Sequence, residues 1–342
     1  MRNLGSGPVT SSRSGARRRF IGVDMGGTKI LAAVVGADGK ILGSAKKRTK
    51  AESGPAHVTT RIGQAIHQAA RDADISVSEA TAVGVGAPGP LNPDTGVVFH
   101  APNLPGWENV PLGQRLADEL DLPVFVENDV NLGTLGELVM GAGRGAQDMV
   151  GIFVGTGIGG GIIIDGKLRS GARHSAAEVG HMIVAAGGPY CGCGRQGCLE
   201  AVASRRAIER DVRAGVAAGR ENLLPDLHGI DPGQLTSKVL ARACEAGCPL
   251  TRQVIGRAQW YLGLHAASIV NFLDPQMMVY GGGLVEAMGE ALLTPIRAVA
   301  QQHLIHQTST PVRIVAASLG DSSVVLGAAV MAQRRWASAS NS

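Results

Sequence analysis

Twice in this chain a short apolar run stops at a glycine turn, reverses into a second apolar run and turns again. The first instance takes Phe20 to Asp24, Met25-Gly26-Gly27-Thr28, Ile30 to Val35, the turn Ala37-Asp38-Gly39 and then Ile41-Leu42-Gly43. The second takes Val150 to Val154, the glycine run from Gly155 to Gly160, the β-branched stretch Gly161 to Ile164 and the turn Asp165-Gly166-Lys167. Strand-forming runs joined by glycine turns predict antiparallel meanders. Their recurrence is a repeat of structure rather than of letters, and it predicts two related α/β units. A length of 342 residues agrees with two domains at about 150 residues each.

The remaining periodicities fill in both units. Val58, Ile62, Ile66 and Ala69 recur at helical spacing, as do Leu112, Leu116 and Leu120. Ala82 to Val85 and Val124 to Val126 are strands, the second ending at Glu127-Asn128-Asp129, and Asp129 to Met140 is helical. After the second meander, helices are predicted from Arg205, Thr236 and Thr251, the last to about Phe272. Met277 to Tyr280 is a strand ending in Gly281-Gly282-Gly283, followed by a helix, a strand Val312 to Ala316 and a closing helix from about Ser322. Two α/β lobes hinged over a cleft follow, with residues 1–19 a flexible basic arm. Residues 20–127 form the smaller lobe, completed by the closing helix at about 321–336, and 128–320 the larger.

With 44% hydrophobic residues the chain can bury a core, and its 49 glycines follow no G-X-Y period, so neither disorder nor collagen fits. The net charge of +4 is local. Arg2, Arg13, Arg17, Arg18 and Arg19 stand in an acid-free Ser/Gly/Arg segment, which leaves the body at −1. A near-neutral body speaks against a nucleic-acid surface and for a solvated tail. The run Arg17 to Ile21 looks like an export signal, but Asp24 and Lys29 interrupt its apolar core. No uncharged stretch is longer than Met149 to Ile164, which contains six glycines. It is too short for a membrane span, which needs roughly 20 residues. A cytoplasmic location is expected.

Gly155-x-Gly157-x-x-Gly160 and Gly84-x-Gly86-x-x-Gly89 fit a dinucleotide fingerprint by letters alone. That fingerprint must open a helix, whereas the first opens into Ile162-Ile163-Ile164 and the second into Pro90. No G-x-x-x-x-G-K-[ST] run occurs. What remains are two hairpin turns, Asp24-x-Gly26-Gly27-Thr28-Lys29 and Gly155-Thr156-Gly157, whose N–H groups can face an anion without Cβ obstruction. Together they predict two jaws for the phosphates of a nucleotide. Asp24, at a strand end, would hold Mg²⁺ through water, since that ion gives up its hydration reluctantly.

Cysteines 191, 193, 198, 244 and 248 are odd in number, with three inside eight residues, which does not read as a disulfide framework. His181, Cys191, Cys193 and Cys198 read H-x9-C-x-C-x4-C, a closed structural zinc site with no open position. Cys244 and Cys248, four apart on a predicted helix, are expected to be ordinary thiols. Glu178 and Glu200 flank the zinc ligands, and two carboxylates converging with an imidazole make a receptor for vicinal hydroxyls. Asp129 sits at a strand's carboxyl end, where α/β clefts place their chemistry, although a helix N-cap would explain it equally. Asn128, Asn103 and Gly89 offer amide and backbone contacts beside it.

The combination of Ala177-Glu178-Val179-Gly180-His181 with Cys191-Gly192-Cys193-Gly194-Arg195-Gln196-Gly197-Cys198-Leu199-Glu200 resembles the ROK (repressor, open reading frame, kinase) group of the actin/hexokinase-like ATPases. The likeness spans about Phe20 to Arg335 and is strongest to its bacterial ATP-dependent glucokinases. It implies two actin-like, ribonuclease H-like lobes with mixed sheets flanked by helices, a central cleft, and a zinc knuckle in the larger lobe. It implies Asp129 as catalytic base for transfer of the ATP γ-phosphoryl group to the 6-hydroxyl of glucose. Sugar contacts would come from Gly89, Asn103, Asn128, Glu178, His181 and Glu200. ATP would meet Gly26 to Lys29, Gly155 to Gly157 and Gly281 to Gly283. The cysteine cluster favours ATP over polyphosphate as donor, and a homodimer is implied. Kinases for fructose, mannose, allose or N-acetylmannosamine share these residues, and a sugar-sensing regulator without turnover is the reading from another class.

Overall fold

The computed structural model describes residues 18–101, 104–223, 235–305 and 311–340. The first meander is β1 (Arg19–Met25), β2 (Lys29–Gly36) and β3 (Ile41–Arg48), all antiparallel. Helix α1 (Gly54–Asp72) buries Val58, Ile62, Ile66 and Ala69, the face its spacing predicts. Strand β4 (Ala82–Ala87) then pairs parallel to β1. An unpredicted small sheet follows, β5 (Leu91–Asn92), β6 (Val97–His100) and β7 (Glu108–Pro111). Its strands are too short to carry a period. Helix α2 (Leu112–Leu120) returns the chain to β8 (Val124–Asn128), parallel to β4, and α3 (Asp129–Met140) follows at once.

The second meander is β9 (Met149–Val154), β10 (Ile158–Ile164) and β11 (Lys167–Leu168). After it come α4 (Leu199–Ala203), α5 (Arg205–Ala217), α6 (Ser237–Glu245), α7 (Pro249–Leu273), β12 (Met277–Gly281), α8 (Gly283–Met288), α9 (Glu290–Gln302), β13 (Arg313–Ala316) and α10 (Ser323–Ser340). The strand orders are β3-β2-β1-β4-β8 and β11-β10-β9-β12-β13. Each sheet therefore places its own third, second, first, fourth and fifth strands in that sequence, with an antiparallel hairpin half and a parallel half. The repeat expected from the glycine turns is a repeat of topology.

Two helices join the sheets. Helix α10 lies so close to the first sheet that a Cβ on Gly84 would sit 2.0 Å from the Ala328 carbonyl oxygen. Its Ala328, Val330 and Met331 share a core with Leu132 and Leu135 of α3 and with Met149 and Val279 of the second sheet. Helix α3 presses equally closely on β10, which explains one departure from expectation. The turn after β9 closes by Gly157, where the Gly155 N–H donates to the Gly157 carbonyl at 2.9 Å, and the strand starts at Ile158 rather than Gly161. Gly159 and Gly161 are strand residues kept bare for the helix: a Cβ on Gly161 would come 2.3 Å from Thr134 Oγ1. A second departure concerns Cys248. Gly247, at φ +87°, ends the stretch after Cys244, and Cys248 is the N-cap of α7 rather than part of the same helix. Among the described residues no helix is long and apolar enough to cross a membrane.

Candidate functional site

Parallel pairing brings three strand ends level, with Asp24 opposite Gly86, Gly86 opposite Glu127, and Ala87 opposite Asn128. Asp129 follows as the first residue of α3. The cap of that helix is Asn128, whose Oδ1 accepts the N–H groups of Val130 (3.0 Å) and Asn131 (3.2 Å). Asp129 is thereby relieved of the capping role that would have explained it structurally. Among the described residues its Oδ1 accepts only the neighbouring Val130 N–H, at 2.9 Å. Burial, reinforced by the charge of Asp24, pushes the Asp129 carboxyl up to about 7 against that N–H. Burial likewise raises Asp24 to about 6, with Lys29 opposing and Asp321 adding to the rise. Two half-buried carboxylates this close suit a hard divalent cation, whose charge would let both ionise.

The β1–β2 turn is closed by the Gly26 N–H donating to the Lys29 carbonyl at 2.9 Å, and Thr49 Oγ1 donates to the Gly26 carbonyl at 2.6 Å. Lys29 Nζ lies 2.7 Å from Asp321 Oδ1, and Lys46 Nζ stands 3.5 Å from the other oxygen. In the matching β9–β10 turn, a Cβ on Gly155 would meet nothing within 4 Å, so that face of the turn is uncrowded although the Gly155 N–H is spent on Gly157. Arg205, at the start of α5, braces this turn. Its N–H donates to the Gly155 carbonyl at 3.0 Å and its Nη2 to Thr156 Oγ1 at 3.0 Å. Gly281 pairs with Phe153 at the carboxyl end of β12, so Gly281 to Gly283 adjoin the Gly155 turn.

The ligand atoms of His181, Cys191, Cys193 and Cys198 all lie within 4.8 Å of one another. Cys193 Sγ is 3.7 Å from Cys198 Sγ, and Cys191 Sγ is 3.6 Å from His181 Nδ1. A tetrahedron with zinc–sulfur bonds of about 2.3 Å has edges of about 3.7 Å, so the donors stand at zinc spacing. The thiols are unlike one another: the Arg195 N–H leads in holding Cys193 down to about 7, while burial pushes Cys191 up to about 12. A bound cation is what would ionise all three together. With Nδ1 on the sulfur side, His181 turns Nε2 towards Glu178, 3.9 Å away. Glu200 leans on the same cluster from α4. Its Oε1 is 3.7 Å from Cys191 Sγ, and its Oε2 accepts the Ile158 N–H at 2.9 Å.

Gly89, Asn128 and Glu178 line one cavity, together with Glu127, Val130, Asn131, Gly159 and His174. Gly89 takes φ +85°, and a Cβ there would strike the His100 carbonyl oxygen at 2.1 Å. Glycine alone fits such a position. His181 and Glu200 stand behind this wall, reaching it through Glu178 and β10. Asp129 lies between two lining residues, and Asn103 falls outside the described residues. Sequence reasoning missed Glu127, which is buried and accepts from the Asn128 N–H (2.9 Å) and Asn131 Nδ2 (3.1 Å). An acid directly after the apolar run Val124 to Val126 was the available signal. It also missed Arg205, Asp321 and His174, whose partners Thr156, Lys29 and Asp94 lie far off along the chain and leave no local trace.

Residues 20–335 match the ROK family. The chain is 37% identical over 314 residues to a glucokinase of Halalkalibacterium halodurans, covering 91% of this chain and 93% of that one. It is also 37% identical over 317 residues to a glucokinase of Thermotoga maritima, covering 93% and 98%. Among solved structures, a ROK family glucokinase of Streptomyces griseus in complex with glucose and AMPPNP superposes with a TM-score of 0.81 at 36% identity, covering 92% of this chain and 99% of that one.

Proposed function

The chain belongs to the ROK family, and on that footing we propose that it is an ATP-dependent glucokinase, transferring the γ-phosphoryl group to the 6-hydroxyl of glucose. The observation that carries the reading is Asp129, a half-buried carboxylate released from helix capping by Asn128 and set beside a polar cavity. Burial and the charge of Asp24 place it near 7, where a general base works best at neutral pH. It accepts the hydroxyl proton as the sugar oxygen attacks phosphorus in line, and the N–H groups of the glycine turns face the phosphoryl oxygens. Gly89, Asn128 and Glu178 hold sugar hydroxyls, with His181 and Glu200 fixing the wall and Asn103 adding a contact. Gly26 to Lys29, Gly155 to Gly157 and Gly281 to Gly283 hold the nucleotide.

Residues 20–127 with 321–336 and residues 128–320 are read as lobes that close on the sugar and exclude water. Zinc on His181, Cys191, Cys193 and Cys198 would fix the loop that carries Glu178 and the start of the helix that carries Glu200. Mg²⁺ near Asp24 would supply positive charge against the phosphates. A homodimer in the cytoplasm completes the reading. A coupled assay with ATP across a panel of hexoses and N-acetylmannosamine tests it. Glucose is expected to give the highest kcat/KM; a better alternative sugar corrects the substrate, and ATP-independent binding without turnover replaces the kinase by a sugar sensor.

A further inference from the structure

His174 adopts a left-handed backbone, φ +53°, as does Ala177 at φ +67°, in the loop that leads to Glu178. Glycine suits that region best; histidine enters it more readily than most side chains, and alanine does not. His174 lines the cavity with Glu127, Asn128, Asn131 and Glu178. Its Nε2 stands 3.5 Å from Asp94 Oδ2, and Asp94 belongs to the β5–β6 turn, whose strands share the core of the first sheet. The contact therefore bridges the loop after β11 to the other half of the molecule. The opposing turn is stiff: Asn92 Oδ1 accepts the Asp94 N–H at 2.9 Å and the Asn92 carbonyl accepts the Gly96 N–H at 2.8 Å. Arg335 of α10 holds it from behind, donating to the Pro93 carbonyl at 2.6 Å and lying 3.6 Å from Asp94 Oδ1.

A pair whose carboxylate is 70% exposed is screened by water and adds little stability, so folding alone does not favour histidine at a position suited to glycine. The wall of the same cavity carries an unsatisfied polar group. Asn131, 5% exposed, donates its Nδ2 to Glu127, and among the described residues its buried Oδ1 has no hydrogen-bond partner. We propose that His174 is a sugar-positioning residue, a wall of the sugar cavity clasped across the cleft by Asp94. This rests on the sugar-kinase reading above.

The test is His174→Gly, which suits the backbone and so keeps the fold. Its melting temperature is expected to equal or exceed that of the wild type, while the KM for glucose rises about tenfold and kcat and the KM for ATP stay within about twofold. His174→Asn, which tolerates the left-handed region, should recover part of that affinity. Asp94→Ala should match His174→Gly, and the double variant should be no worse than either single one. An unchanged glucose KM in His174→Gly, equal losses for both substrates, or additive losses in the double variant overturn the clasp while leaving the kinase standing. If the wild type prefers another hexose, the same comparison is made with that sugar. If it turns over no sugar, the kinase reading falls, and calorimetric sugar binding decides: a Kd that is unchanged by His174→Gly, or too weak to measure in the wild type, overturns the clasp as well.

Discussion

The two sheets share a strand order but not a method of holding their turns. In the first half the glycine hairpin is half-buried and charged, its Lys29 tied to Asp321 near the start of α10. In the second half the equivalent turn is braced by neighbours, with Arg205 on Thr156 and Glu200 on the Ile158 N–H just beyond it. A metal-ligand cluster sits behind Glu200. One topology thus holds its two glycine turns in two ways: the first by charged pairs to Asp321, the second by neighbours that adjoin a metal-ligand cluster. Helix α3 starts where they meet, and Asp129 heads it.

The largest effect is expected where both halves converge. Asp129→Asn should lower kcat by about 10²–10⁴ and keep glucose affinity. Wild-type kcat/KM should rise with pH towards about 7 as Asp129 ionises, and this limb should vanish in the variant. Stability should move the opposite way. The folded carboxyl, near 7, binds its proton more tightly than the ordinary 3.8, so its contribution is full below about pH 4 and is lost as pH rises to about 7. Asp129→Asn should therefore melt above wild type at pH 8 and lose that advantage near pH 4. A variant as active as wild type would remove the base from this residue.

Next comes the staple. Cys193→Ser, or chelation, should lower the melting temperature by about 10 °C and raise the KM for glucose, with a smaller change for ATP. Hydrogen exchange should quicken in residues 178–200 while β1 to β4 keep their protection. Equal loosening of both sheets would contradict the division of labour, and metal analysis that finds no zinc in fully active protein would remove the staple.

Glycine substitutions separate packing from turn chemistry. Gly84→Ala drives a methyl to within 2.0 Å of the Ala328 carbonyl oxygen. It should cost about 1–3 kcal/mol by urea unfolding. A methyl in Gly155→Ala meets nothing within 4 Å. That variant should leave unfolding within about 0.5 kcal/mol of wild type, while raising the KM for ATP several-fold. If Gly155→Ala left nucleotide binding untouched, the second jaw would lose its support.

The contrast between halves also marks what the sequence could tell. Helix α3 runs from Asp129 to Met140 as its pattern predicts, and the four zinc-type ligands converge as their spacing predicts, because both signals are local. The strand status of Gly159 and Gly160 was hidden, since what packs on them, Val130 of α3 and Val179, lies in separate elements that leave no mark at those letters. The same holds for the capping of α3: both Asn128 and Asp129 suit a cap, and only the backbone distinguishes them. Residues that act through partners far along the chain, Arg205, His174 and Asp321, were unreadable for that reason.

The smallest effect tests the charged side. Asp321 holds both Lys29 and Lys46, and the Lys29 side chain chiefly keeps its carboxyl below the usual range. The carboxylate is 59% exposed. Its pairs should therefore contribute only about 0.2–1 kcal/mol. That contribution is present above about pH 4 and is lost as acid protonates Asp321. Asp321→Asn should thus shift melting by only a few degrees at pH 7 and by nothing at pH 3. Freeing Lys29 for phosphate should lower the KM for ATP about twofold, more at low salt than at high salt, because the gained attraction is screened. A raised KM would mean instead that Asp321 holds Lys29 in its working position, and the first turn would then be a braced one like the second.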